Sequence, residues 1–145
     1  DVAVTSVLYA VQVEENLQLT KQIEIPADWR ASRPTVTAVY HILTKALTNV
    51  LRHAQADRVW VTLCVSDAGL YLSVEDDGMG VDVESLTLSD LLRRQHFGLV
   101  GMHEWAHSVD GALRVEHRAE GGTRVELTVP LQERSLRSVS LTSAI

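Results

Sequence analysis

Two alternating apolar runs joined by a tight turn constrain this chain most. Val59, Val61, Leu63 and Val65 alternate with polar neighbours, and Leu70, Leu72 and Val74 do the same. Period-two alternation predicts strands with one buried face. Ser66-Asp67-Ala68-Gly69 between them reads as the turn. Directly upstream, a helical pattern runs from about Thr35 to Ala54. Leu17, Leu19, Ile23 and Ile25 alternate in an earlier strand, with Lys21 as its one lapse, and 26–34 is a loop. Val4, Val7, Leu8 and Val11 share one face of a short opening helix. Leu99, Met102, Ala106 and Val109 mark another helix, ended near Gly111. Two last strands, around Leu113 to Val115 and Arg124 to Val129, are joined by Glu120-Gly121-Gly122. Helices interleaved with tightly turned strands predict an α/β two-layer sandwich, one helical layer on one sheet.

Composition bounds the function. The chain has 145 residues, of which 46% are apolar and 22% charged, enough for one folded domain without staples. A net charge of -6 argues against nucleic acid and against anionic lipid as partners. One cysteine, Cys64, makes no internal disulfide, so a reducing, cytoplasmic setting is expected. No apolar run approaches the roughly 18 residues of a membrane span. Asp1-Val2-Ala3-Val4 lacks the features of a signal peptide. A start without Met suggests a piece of a longer protein, whose full length could carry a membrane anchor. The domain is expected over 1–131, and the Ser-rich stretch 132–145 as a polar, flexible tail.

The long helix carries a polar face. At about 100° per residue, Val36, Val39, Tyr40, Leu43, Leu47, Val50 and Leu51 cluster opposite Asn49. Lys45, Arg52 and His53 gather beside Asn49. Such a face is ordinarily just solvated. Three glycine segments change its meaning. Asp76-Asp77-Gly78-Met79-Gly80 follows a strand, where glycines let backbone approach a ligand and a carboxylate can accept from an amino group. Phe97-Gly98-Leu99-Val100-Gly101-Met102 opens a helix, whose first amides and positive dipole end suit phosphate. Gly121-Gly122-Thr123-Arg124 is the third. Each alone is equally well a turn or an ordinary helix start.

In this order, the segments resemble the ATP-binding catalytic domain of bacterial sensor histidine kinases, the HATPase_c or GHKL group. The subgroup most similar signals to helix-turn-helix (NarL-type) response regulators. Ala46 to Ala54 matches its N box, Asp76 to Gly80 the G1 box, Gly98 to Met102 the G2 box, and Gly121-Gly122-Thr123 the last glycine box. The resemblance implies the Bergerat fold: a mixed β-sheet, one helical layer and an ATP lid, here about 81–97. It implies ATP and Mg²⁺ as cofactors, with Asn49 holding the metal. Arg52 and His53 would lie beside phosphates or ribose, and Asp76 would accept from the adenine amino group. Gly78 and Gly80 would pass close to the adenine. Gly98, Leu99, Val100, Gly101 and Met102 would cradle phosphates, and Thr123 would back the adenine site. The implied partners are a dimerisation domain bearing the phosphoacceptor histidine and a response regulator receiver domain. That histidine's motif is not in this chain, and His41 and His53 are not candidates by position. The fragment alone is therefore not expected to autophosphorylate.

Two departures stand out. The family's Gln-Glu-Ala-Leu-Thr-Asn is Thr44-Lys45-Ala46-Leu47-Thr48-Asn49 here. Lys45 replaces an acid that, in relatives, activates the attacking group or supports the metal. A charged lysine accepts no proton and repels Mg²⁺, though it can pair with phosphate. It is an engineered substitution, a weakened kinase or a different metal arrangement, so a degenerate nucleotide-binding module stays open. The usual Arg-Glu-Arg of the G2 helix is His103-Glu104-Trp105. An anti-sigma-type protein-serine kinase is a further reading of the same fold.

His103-Glu104-Trp105-Ala106-His107 also fits the zinc-protease pattern H-E-x-x-H. A metzincin continuation needs Gly at 110 and His at 113, where Asp110 and Leu113 stand. A third ligand from Glu116, His117 or Glu126 has no support, and the glycine boxes would go unexplained. Cys64 reads as a small packing residue. Trp29, Trp60 and Trp105 are too scattered for a stacking platform. Neither Glu14-Glu15 nor Asp76-Asp77 reads as a glycosidase pair, because adjacent acids diverge.

Overall fold

The computed structural model describes residues 17–78 and 98–130, without the side chains of His53 and Ala54. The expected opening helix, the lid segment, Gly80 and the tail lie outside the described residues. The elements are β1 (Gln18–Glu24), α1 (Arg33–Asn49), a π-helical turn (Val50–Ala54), β2 (Arg58–Ser66), β3 (Gly69–Asp76), α2 (Leu99–His107), β4 (Ala112–His117) and β5 (Thr123–Val129). The five strands form one sheet in the order β1-β2-β3-β5-β4. β1 runs parallel to β2, and every other pair is antiparallel. The sheet is mixed, as expected for this fold class.

Local chemistry starts the long helix. Ser32 takes an extended conformation, and its Oγ accepts the Thr35 amide at 3.2 Å, satisfying one amide of the helix start. Pro34 sits in the first turn, where its missing N–H costs nothing. The helix then widens into the π-helical turn and stops at Gln55, which is left-handed at φ 52°. Single π turns of this kind often occur at functional positions.

One apolar core lies between the sheet and the helices. α1 contributes Val39, Ile42, Leu43, Ala46 and Leu47, α2 contributes Leu99, Met102 and Ala106, and β2, β3 and β5 supply Val59, Val61, Leu63, Leu72, Val74 and Leu127. The sequence reading of the α1 stripe needs correction. Val36 and Tyr40 were expected inside but are 39% and 37% exposed, whereas Thr35, Ala38 and Ile42 are fully buried. The buried arc is turned by roughly 70° towards Asn49, at about 100° per residue. The cause is α2, which packs along α1 as well as on the sheet, so α1 has two neighbours to meet. The flank carrying Lys45 and Asn49 consequently lies half-buried beside α2.

Candidate functional site

The floor of the site is the end of β3. Strand alternation turns the Asp76 side chain to the helix side, where the residue is 5% exposed. Its carboxylate accepts the Gly78 amide at 2.8 Å and the backbone of Thr123, itself 6% exposed. Burial raises the Asp76 carboxyl above the ordinary aspartate range, and the two amides only partly offset it. Asp77 does a different job. Its Oδ1 accepts the amides of Asp57 and Arg58 at 2.9 and 3.0 Å, pinning the β3 end to the start of β2. There burial pulls the carboxyl upward, but the amides of Arg58 and Asp57 win, and it lies below the ordinary range.

Gly122 closes the floor from β5. It sits at φ +93°, and a Cβ there would overlap the Asp76 carbonyl oxygen. No other residue type lets β5 enter the sheet so close to Asp76.

The wall is the seam between α1 and α2. Gly98 begins α2 in the left-handed region at φ 73°, with the Lys45 stem against it. The first amides of α2 lack intrahelical partners by construction of any helix. Leu99 and Met102 are buried, and Met102 also borders the pocket between the two helices. Val100 is 48% exposed, and a Cβ at Gly101 would meet open space. His41, Thr44, Lys45, Thr48, Gly98 and Trp105 are among the residues lining a pocket of about 250 Å³ in this seam. Its outer rim is a stack of His41 on Trp105, with ring centroids 4.2 Å apart.

Asn49 ends α1 half-buried, and Arg52 lies exposed in the π-helical turn. His53 shares that turn; its side chain, like Gly80, lies outside the described residues. The two helices thus bring Lys45 and the G2 box together in one seam, and Asn49 lies one turn beyond Lys45 on the same helix. Asp76, Gly78 and Thr123 form a second cluster at the sheet's rim. His103 and His107 are both exposed, and among the described residues no three His, Cys, Asp or Glu side chains are grouped to hold a metal. Sequence reasoning missed the Asp77 clamp, the His41–Trp105 stack and Arg118, which holds the Asp76 carbonyl at 2.9 Å. Only Asp77 had a signal, its place inside the G1 box.

A family model described as histidine kinase-, DNA gyrase B-, and HSP90-like ATPase matches residues 35–133. The chain belongs to this ATPase family. Sensor histidine kinase YdfH of Bacillus subtilis is 33% identical over 99 residues, 68% of this chain and 23% of its own length. Nitrate/nitrite sensor protein NarX of Escherichia coli K12 is 38% identical over 87 residues, 60% of this chain and 14% of its own. The chain thus spans under a quarter of these two relatives. The blue-light activated histidine kinase of Erythrobacter litoralis EL346 shares the fold. Its TM-score is 0.71 at 20% identity, over 91% of this chain and 42% of that one. The chain is therefore an ATP-binding domain of the sensor histidine kinase type, the family that its four boxes resemble. No helix among the described residues of this ATPase domain is long and apolar enough to cross a membrane.

Proposed function

We propose that this chain is the catalytic domain of a cytoplasmic-facing sensor histidine kinase. It would bind Mg-ATP and pass the γ-phosphoryl group to a histidine on a separate dimerisation domain. A response regulator receiver domain would then take the group from that histidine. The observation that carries the reading is the buried Asp76 carboxylate, held between Gly78 and Thr123 where Gly122 lets the backbones meet. An ionisable group kept in that environment has a poor structural excuse and a good functional one.

The residues suit the ligand. Asp76 would accept from the adenine amino group, with Gly78, Gly80 and Thr123 around the base. Arg52 and His53 would lie near ribose or phosphate. The amides from Gly98 to Met102 would face the phosphates at a helix start. Asn49 would hold Mg²⁺, whose charge would offset that of the phosphates. In transfer, a histidine nitrogen bonds to the γ-phosphorus as the bond to the β–γ bridging oxygen breaks. The protein's share is positioning and charge stabilisation.

Lys45 favours a second reading, a nucleotide-binding module with little or no turnover. The lysine lies one turn before Asn49 and lines the α1–α2 pocket, where its charge opposes a divalent cation and suits a phosphate. Lys45→Glu is expected to increase the Mg²⁺ dependence of ATP-analogue affinity by roughly tenfold, the effect of about 1.4 kcal/mol. Calorimetric titration with and without Mg²⁺ checks it. An unchanged Mg²⁺ dependence would remove Lys45 from the phosphate site.

A further inference from the structure

Arg118 follows β4 on the outer side of the sheet, away from the helices, and the nucleotide reading gives it no role. Its side chain is nevertheless only 10% exposed. Nη1 donates to the Asp76 carbonyl oxygen at 2.9 Å and to the Gly121 carbonyl at 3.2 Å. Nη2 donates to Glu120 Oε2 at 3.2 Å, and Nε lies 3.3 Å from Glu75 Oε1. The flat face of the guanidinium rests on Trp60, 4.7 Å from the ring centroid. The turn beneath it is closed by its own backbone, whose amide donates to Gly122 at 3.0 Å while its carbonyl accepts from Gly121 at 3.1 Å.

One rigid fork therefore ties three pieces of chain together: the last residue of β3, the glycine turn before β5, and β2 through Trp60. Only a planar guanidinium presents donors in this fixed spread while stacking on an aromatic ring. The two pieces it bridges, Asp76 and Gly121-Gly122-Thr123, are those whose spacing sets the base-recognising carboxylate against the Thr123 backbone. The β3–β5 ladder and the hydrogen bond from the Thr123 backbone to the Asp76 carboxylate join them on the helix side, and nothing among these ties holds the Asp76 carbonyl on the outer side. Arg118 does.

We propose that Arg118 is a positioning residue for base recognition: it fixes the Asp76 carboxylate from the opposite side of the sheet and touches no ligand itself. The inference rests on the adenine-site reading of Asp76. Sub-ångström errors at such a group are costly, because recognition of a planar base by one carboxylate depends on direction as well as distance.

The test compares three ligands by calorimetry: a non-hydrolysable ATP analogue, the matching GTP analogue and inorganic triphosphate. The variants are Arg118→Met, which keeps the stem and loses the fork, and Arg118→Lys. Arg118→Met is expected to lose roughly tenfold in ATP-analogue affinity and to bring the ATP-to-GTP preference down by a similar factor, with triphosphate binding unchanged. Arg118→Lys is expected to recover part of both, since an ammonium can still donate to the Asp76 carbonyl. If Arg118→Met does not fold, the loss of base preference in Arg118→Lys decides alone. Unchanged base preference in the variants overturns the inference, and so does an equal loss for triphosphate, which marks a general weakening. If the unsubstituted chain binds triphosphate but shows no base preference, the Asp76 reading itself has failed, a result distinct from either.

Discussion

Asp76→Asn is expected to weaken ATP-analogue binding by roughly 10- to 150-fold, the worth of one charge-assisted hydrogen bond at 1.5–3 kcal/mol. Asparagine keeps the size of the side chain and one acceptor oxygen, so the Gly78 contact can survive. What goes is the charge facing the base and the freedom of both oxygens to accept. Calorimetry on the variant, with circular dichroism to verify folding, measures the effect. The pH dependence follows from the same carboxylate. Its folded value is raised by burial, so protonation begins at higher pH than for an ordinary aspartate. Nucleotide affinity is therefore expected to fall as pH drops through that raised value. The stability sign is opposite: an ionised Asp76 costs folding free energy at neutral pH, and the cost lessens as pH falls through the folded value. A strand end shaped for stability alone would not keep such a group.

Gly122→Ala is expected to cost about 2–6 kcal/mol in folding stability. Holding a non-glycine residue at positive φ costs about 1–3 kcal/mol. Forcing a methyl into occupied space adds about 1–3 kcal/mol. Here the space is occupied by backbone, the Asp76 carbonyl and the Asp77 Cα at 3.0 Å, which has no rotamer to escape into. Gly101→Ala is the control. It lies within α2 with nothing near its would-be Cβ, so alanine there is expected to be neutral or to stabilise by up to about 1 kcal/mol. Urea unfolding of the two variants gives the comparison.

Most of the fold could be read from periodicity. The β2–β3 hairpin, α2 and the β4–β5 pair form where alternation and glycine turns put them, because each pattern is local. The face of α1 could not be read so well. Its burial depends on α2, some fifty residues away in sequence, and Val36 and Tyr40 lost their expected neighbours to that packing. Periodicity also carried no information on strand direction; β1 lies parallel to β2, a pairing that no turn dictates. The last glycine box was legible because close backbone approach admits few residue types, as Gly122 shows. Arg118 was not, since an arginine in a polar turn looks solvated until the strands bring Asp76, Glu75 and Trp60 around it.

The Asp76 floor and the α1–α2 seam are expected to bind one adenine nucleotide between them. Calorimetric titration of the unsubstituted chain with non-hydrolysable ATP and GTP analogues tests it most directly. One site per chain and tighter binding of the adenine nucleotide are expected, by roughly tenfold or more if a single carboxylate selects the amino group. Equal affinity for the two bases, or no binding of either, would contradict it.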